Sequence, residues 1–366
     1  MIAIAKPFLG EEEKNAVMAV LDSGMITSGA VVTEFEEKFA EYIGVKYGVA
    51  ASNGTTALEL ALRAAGIGKG DKVLTTPFSF IASTNAILYV GGIPVFADID
   101  PHTFNIDPAL MEEQLKADPE IKALLIVHLF GHPCDMNAIL ALTEKYGVVL
   151  IEDSAQAHGA MYGGKNVSTF GKVAAYSFYP TKNMTTSEGG MVLTNDAKIA
   201  EKARLLVSHG MKVRYYHDEI GYNYRMTNIT AAIGLCQLEK LDGFNQKRSE
   251  IAKFYEKNIR NEHLTLPSTK ENCRHCFHQY SLLIGNDNRN SFLKYLEAEG
   301  VGYGVFYPLS IPEQACYKSL GFKTDYPITN RIKKEIVSIP VHPMLTQAEV
   351  EKVAEVINKF EVEYEI

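Results

Sequence analysis

Apolar runs of strand length recur through the first two-thirds of the chain, and helical segments separate them. Residues 47–51 read as a strand. Residues 55–66 read as a helix, apolar at Leu58, Leu60, Leu62 and Ala65 and stopped by Gly66 and Gly68. A strand is expected near 72–76, a helix over 81–89 and a strand at 94–97. A helix follows at 107–114, a β-rich run at 123–129 and a helix at 135–146. Further strands fall at 148–151, near 174–178 and at 190–194, before a helix from 196 to about 208. Continuously apolar strands spaced by helices imply an α/β fold with a mostly parallel central sheet, flanked by helices on both faces. Sheets of this kind bind ligands at the carboxyl ends of their strands.

The rest of the chain changes character. Residues 209–224 read as an irregular, aromatic-rich loop and 228–258 as one long helix. From about 262 the elements shorten into a smaller C-terminal α/β domain. At 366 residues the chain exceeds one ordinary core. The expected division is a large domain over 1–245 and a small domain over 246–366, with the N-terminal segment free to pack on the small one.

Charge and composition narrow the function classes. The net charge of −8 and the lack of a basic block argue against nucleic-acid binding. The first residues are followed by Glu11-Glu12-Glu13, which is no secretory signal. Residues 73–97 carry no charge, but Pro77, Pro94 and Gly91-Gly92 interrupt them. A buried strand–loop–helix–strand is expected there, not a membrane span. Cys273-Arg274-His275-Cys276 with His278 has a faint zinc-knuckle look but no second ligand pair. The five cysteines therefore read as reduced thiols of a cytoplasmic protein, with no metal expected.

Three segments carry chemistry. Lys182 lies in a proline-bearing turn, Ser177-Phe178-Tyr179-Pro180-Thr181-Lys182-Asn183, after an apolar strand. A desolvated lysine readily becomes the neutral amine that attacks an aldehyde. Asp153 closes the strand Val148-Val149-Leu150-Ile151-Glu152-Asp153. Ser52-Asn53-Gly54-Thr55-Thr56 opens a helix. It serves either as an ordinary N-cap or as a phosphate cradle of free N–H groups, and the two are compatible. It is not a Walker loop, since the glycine spacing and lysine are missing. Together the three segments match what pyridoxal 5′-phosphate (PLP) needs: a Schiff-base lysine, an acid for the pyridine nitrogen and donors for the phosphate. Phe80, after a proline turn, is either core or a ring stacked on a flat cofactor.

These residues bring a family into view. The chain resembles the DegT/DnrJ/EryC1/StrS group of PLP-dependent sugar aminotransferases, of fold-type I, over nearly its whole length. The matching segments include Ile26-Thr27-Ser28-Gly29, Pro77-Phe78-Ser79-Phe80, Glu152-Asp153-Ser154-Ala155-Gln156-Ala157-His158-Gly159 and Tyr224-Arg225-Met226-Thr227-Asn228. The resemblance implies that Lys182 is the Schiff-base lysine and proton shuttle, with Asp153 at the pyridine nitrogen. It places Gln156 by the ring hydroxyl and Phe80 on the ring. Gly54, Thr55, Thr56 and Ser177 lie at the phosphate. Asn228 would reach the phosphate of a neighbouring subunit, so a homodimer with shared active sites is implied. Tyr307 would lie near the sugar nucleotide. Arg214 and Arg225 are candidates, by residue type, for holding a substrate carboxylate or diphosphate, with surface or structural roles as the alternative. Some members carry histidine at the lysine position and act as dehydratases, and Lys182 favours transamination. The implied reaction moves an amino group from L-glutamate, or glutamine, to a nucleotide-linked keto sugar. The run Thr185-Thr186-Ser187-Glu188-Gly189-Gly190 resembles members that aminate C4.

Four alternatives remain at this level. One is amination of a keto-cyclitol. A second is another PLP reaction, such as a β-elimination. A third is a non-catalytic PLP-binding regulator, against which Lys182 and the missing DNA-binding region both count. The fourth is a metal-dependent enzyme using Asp153, His128, His132 and His158. His128 and His132 bracket a strand end, not a helix face, so the usual i, i+4 ligand geometry is unsupported.

Overall fold

In the computed structural model, which describes residues 1–285 and 287–361, the apolar runs assemble into one seven-stranded sheet. Its strands are Tyr47–Ala51 (β1), Lys72–Thr75 (β2), Ile93–Phe96 (β3), Ile121–Val127 (β4), Val149–Asp153 (β5), Val173–Ser177 (β6) and Gly190–Thr194 (β7), in the order β1-β7-β6-β5-β4-β2-β3. The run from β3 through β2, β4 and β5 to β6 pairs in parallel. The exception is β7, antiparallel to both neighbours. Alternation along β4 shows why both faces are covered. Leu125 and Val127 enter one core cluster, and Leu124 and Ile126 enter another on the opposite face.

The large-domain helices are Glu11–Ser23 (α1), Ala30–Ile43 (α2), Gly54–Ala64 (α3), Ala82–Tyr89 (α4), Pro108–Ala117 (α5), Met136–Tyr146 (α6) and Ala197–Val207 (α7). Their starts have physical causes. Asn53, Asp107, Asp135 and Asp196 each accept a hydrogen bond from a backbone N–H of the first turn. Most boundaries fall within a few residues of those read from the sequence. Residues 209–224 depart from that reading. They contain a small hairpin of Met211–Val213 and Tyr216–His217, turned through Tyr215 at a φ of +69°.

One helix joins the two halves. Asn228–Asn258 (α8) runs unbroken through position 245. Leu241 packs with Phe35, Phe39 and Tyr176 of the large domain, whereas Ile251, Ala252 and Tyr255 belong to a second core. That second core lies on an antiparallel sheet of Leu264–Thr265 (β8), Tyr280–Ile284 (β9) and Ile336–Ile339 (β10). Ile2 bridges to Val301 and is buried in the same core. Among the described residues, no helix is long and apolar enough to cross a membrane.

Candidate active site

The carboxyl ends of β5 and β6, the start of α3 and the turn after β6 surround a cavity of about 710 Å³. Its position follows from the sheet. Parallel strands end on one edge, where sheets of this kind bind their ligands.

Asp153 is the last residue of β5 and is 3% exposed. Ser83 Oγ, on α4, donates to Asp153 Oδ2 at 2.7 Å, and the Ala155 N–H donates to Oδ1 at 3.1 Å. Ser79 Oγ lies 3.0 Å from Ser83 Oγ, which extends the chain of hydroxyls. Burial pushes the Asp153 pKa up, and the Ser83 hydrogen bond, the Ala155 N–H and the positive Lys182 pull it back. The side chain is thus held at the cavity wall, and among the described residues no cation pairs with it.

Lys182 lines the same cavity from a turn fixed by its own N–H to the Tyr179 carbonyl at 2.8 Å. Desolvation lowers its pKa to about 8, against the attraction of Asp153. Its amine has no hydrogen-bonding partner among the described residues.

The third wall is the N-terminus of α3. Asn53 Oδ1 accepts from the Thr56 N–H at 2.9 Å, which leaves the N–H groups of Gly54 and Thr55 outside the helix ladder. Gly54 lets this helix start against β6. A Cβ there would lie 2.5 Å from Ser177 Cβ and 3.1 Å from Ser177 Cα. Ser177, Thr55 and Thr56 line the cavity at this end.

Gln156 and Tyr307 close the far side. The Phe130 N–H donates to Gln156 Oε1 at 2.8 Å, so the amide turns its nitrogen to Tyr307 OH at 3.2 Å. Phe80 stands at the mouth, 56% exposed, with its ring centroid 6.3 Å from that of Tyr307.

These observations test whether PLP fits. Among the described residues, a buried acid without a cation, a desolvated amine without a partner and the free N–H groups of a helix start line one cavity. They match the needs of a pyridinium nitrogen, an aldehyde and a phosphate, and so the residues present fit the group.

Two residues singled out from the sequence lie elsewhere in the chain. Arg225 Nη1 is 3.4 Å from Ser208 Oγ and does not line the cavity. Asn228 is buried, donates from Nδ2 to the Met25 carbonyl at 2.6 Å and accepts the Val32 N–H at 3.2 Å. Within one chain it caps α2. The histidines considered for a metal are otherwise engaged or enclosed. His128 Nδ1 accepts the Cys134 N–H at 3.0 Å, so its Nε2 donates to Glu152 Oε2 at 2.9 Å. His158 is enclosed by Phe39, Tyr176 and Phe178. Among the described residues no group of three or more such side chains could hold a metal.

The structure brings to the cavity residues that the sequence assigned no place in it. Ser79 and Ser83 carry an i, i+4 spacing after a proline turn, a signal that was present but unspecific. Glu188 and His278 also line the cavity, brought there by the loop before β7 and the connection into β9.

A desolvated lysine and a strand-end acid lining one cavity, at the carboxyl edge of a mostly parallel sheet, match the architecture of PLP-dependent aminotransferases. Comparison gives the family. The model of the DegT/DnrJ/EryC1/StrS aminotransferase family matches residues 7–358, and the chain belongs to that family. The chain is 39% identical to the GDP-perosamine synthase of Caulobacter vibrioides, over 98% of each protein. It is 38% identical to the dTDP-3-amino-3,6-dideoxy-alpha-D-galactopyranose transaminase of Aneurinibacillus thermoaerophilus, over 96% of this chain and 95% of that one. Among solved structures it is similar to Helicobacter pylori PseC, an aminotransferase involved in the biosynthesis of pseudoaminic acid. The TM-score there is 0.91 at 31% identity, covering 98% of both chains.

Proposed function

We propose that this protein transfers an amino group from L-glutamate to C4 of a nucleotide-linked keto sugar, as a homodimer using PLP. The observation that supports this most is the pairing of Lys182 and Asp153 across one cavity, in a chain whose relatives are named for amino sugars on GDP and dTDP.

When bound, PLP supplies an electron sink for bond breaking at the substrate carbon. The protein's own residues do the rest. Asp153, held by Ser83 and the Ala155 N–H, offers a fixed negative charge to a cationic ring nitrogen. Gly54, Thr55, Thr56 and Ser177 would hold the phosphate with N–H and hydroxyl donors, aided by the α3 dipole. Phe80 would cover the ring face and Gln156 would offer its Nε2–H beside it. Lys182 Nζ is the base. With a pKa near 8, a useful fraction is neutral at physiological pH. It takes the proton from the α-carbon of glutamate in the first half-reaction and delivers one to the sugar carbon in the second. Tyr307 and Arg225 are the proposed sugar-side contacts, Tyr307 from within the cavity and Arg225 across the dimer. Asn228 would complete the partner's phosphate site.

The test is transfer of labelled nitrogen. The PLP-loaded protein, given ¹⁵N-glutamate and GDP-, dTDP- or UDP-linked 4-keto sugars, should yield a labelled amino sugar nucleotide, with NMR locating the nitrogen at C4. Label at C3 would overturn the position. Label found only in a keto-cyclitol would overturn the substrate class.

A further inference from the structure

Asn183 follows the reactive lysine and points away from the cavity, into the protein, where it is 3% exposed. Its amide is fully used. Nδ2 donates to Asn245 Oδ1 at 2.8 Å and to the Cys276 carbonyl at 2.9 Å. With both amide hydrogens committed, Oδ1 is the acceptor for His278 Nδ1–H at 3.3 Å. Asn245, on α8, passes the tie on by donating from Nδ2 to the His158 carbonyl at 2.8 Å.

Residues 276–279 are the connection that enters β9 of the small domain. They are held from the large domain as well. The Cys276 N–H donates to the Gly131 carbonyl at 3.1 Å and the Gln279 N–H to the Phe130 carbonyl at 3.2 Å. Phe130 is the residue whose N–H orients Gln156. From the other side, buried Arg248 donates from Nη1 to the carbonyls of Phe277 at 3.1 Å and His278 at 3.4 Å. Arg248 has no carboxylate partner among the described residues. A buried cation committed to carbonyl oxygens fixes those carbonyls at a desolvation cost.

The lysine turn needs such an anchor. Among the described residues no partner orients Lys182 Nζ, so its aim depends on the backbone that carries it. Of the turn's other ties, Lys182 N–H to Tyr179 and Thr186 N–H to Phe178 at 3.0 Å are internal to the same loop, and the Thr185 N–H reaches Gln237 Oε1 on α8 at 3.4 Å. Asn183 links that loop to a different part of the fold.

We propose that Asn183 is a positioning residue for Lys182, locking the lysine-bearing turn to the Cys276–His278 connection so that the amine stays aimed into the cavity. The proposal rests on the assignment of Lys182 above. It also makes the small domain's attachment part of the catalytic geometry.

The experiment uses the PLP-loaded protein and two variants. Asn183→Ala removes the anchor, and Asn245→Ala removes one of its partners and leaves Asn183 in place. Three quantities are read. They are the rate at which PLP becomes trapped on Lys182 by borohydride (peptide mass), kcat and KM for the glutamate half-reaction, and the melting temperature. Asn183→Ala should lower trapping and kcat roughly 100-fold with KM nearly unchanged, as expected for an amine misplaced by about 1 Å. Asn245→Ala should give a drop in the same direction of roughly tenfold. Should Asn183→Ala fail to fold, Asn245→Ala carries the test alone. Normal trapping and kcat in a folded Asn183→Ala protein would overturn the proposal, as would losses that only follow the melting temperature. Turnover by Lys182→Ala would instead overturn the lysine assignment, which separates the two failures.

Discussion

Replacing Gly54 by alanine would put a Cβ 2.5 Å from Ser177 Cβ, where ordinary contact begins at 3.4 Å. The start of α3 and the end of β6 would have to part by roughly 0.9 Å. The obstructing atoms include Ser177 Cα at 3.1 Å, so a rotamer change cannot relieve the clash. Overpacking of this kind costs about 1–3 kcal/mol of stability. The functional effect should be larger, because the two elements forced apart are those that converge on the phosphate. Losing one charge-assisted hydrogen bond, worth about 1.5–3 kcal/mol, weakens binding roughly tenfold to a hundredfold. The assay is fluorescence titration of the apoprotein with PLP and, separately, with pyridoxal, which lacks the phosphate. Gly54→Ala should lose PLP affinity by that factor and keep its pyridoxal affinity. Gly243→Ala, mid-helix in α8 with no atom within 4 Å, should leave both affinities intact and stabilise the fold by about 0.5–1 kcal/mol. Equal losses for PLP and pyridoxal in Gly54→Ala, or none, would refute the cradle argument.

Other consequences are as direct. Ser83→Ala removes the 2.7 Å donor that favours the ionised form of Asp153, so the acid's pKa should rise further. Stopped-flow absorbance should show the glutamate half-reaction slowed roughly tenfold, with Ser83→Thr recovering most of it. The rate of PLP capture by the apoprotein should climb about tenfold per pH unit up to about pH 8 and then level off. Burial lowers the Lys182 pKa to that value, and only the neutral amine attacks. A plateau reached only near 10.5, the ordinary lysine value, would count against the desolvated environment. Asn228→Ala should cost about 1 kcal/mol in thermal melts through the lost cap on α2. If sites are shared between subunits, mixing inactive Lys182→Ala with Asn228→Ala protomers should restore activity, since one site of each mixed dimer is then intact. No recovery on mixing would argue for self-contained subunits.

Much of this site was legible in the chain because its chemistry sits where local sequence dictates geometry. Asp153 ends a strand whose apolar run is unmistakable, and Gly54 to Thr56 open a helix with a clear cap. Lys182 lies in a turn bounded by two buried strands. The antiparallel course of β7 was less accessible, since a buried strand reads the same in either direction. Ser83 is not legible in the sequence, because a serine on a short helix carries no mark of which carboxylate it will meet. Arg225 and Asn228 show the limit of motif transfer. Their segment reproduces the family pattern, yet within one chain both side chains turn to local partners. What they reach in an assembly depends on a second surface that one chain's pattern does not encode. The tie from Asn183 to Cys276 and His278 spans more than ninety positions, and no periodicity reports such a contact.

The central claim is that Lys182 and Asp153 make this cavity a transaminase site. The most direct test is the visible absorption spectrum of the PLP-loaded protein before and after L-glutamate is added. The account predicts a yellow band that bleaches on adding glutamate and returns when the keto sugar nucleotide follows. A band that neither glutamate nor glutamine moves, or no band in the wild-type protein after PLP is supplied, would contradict it.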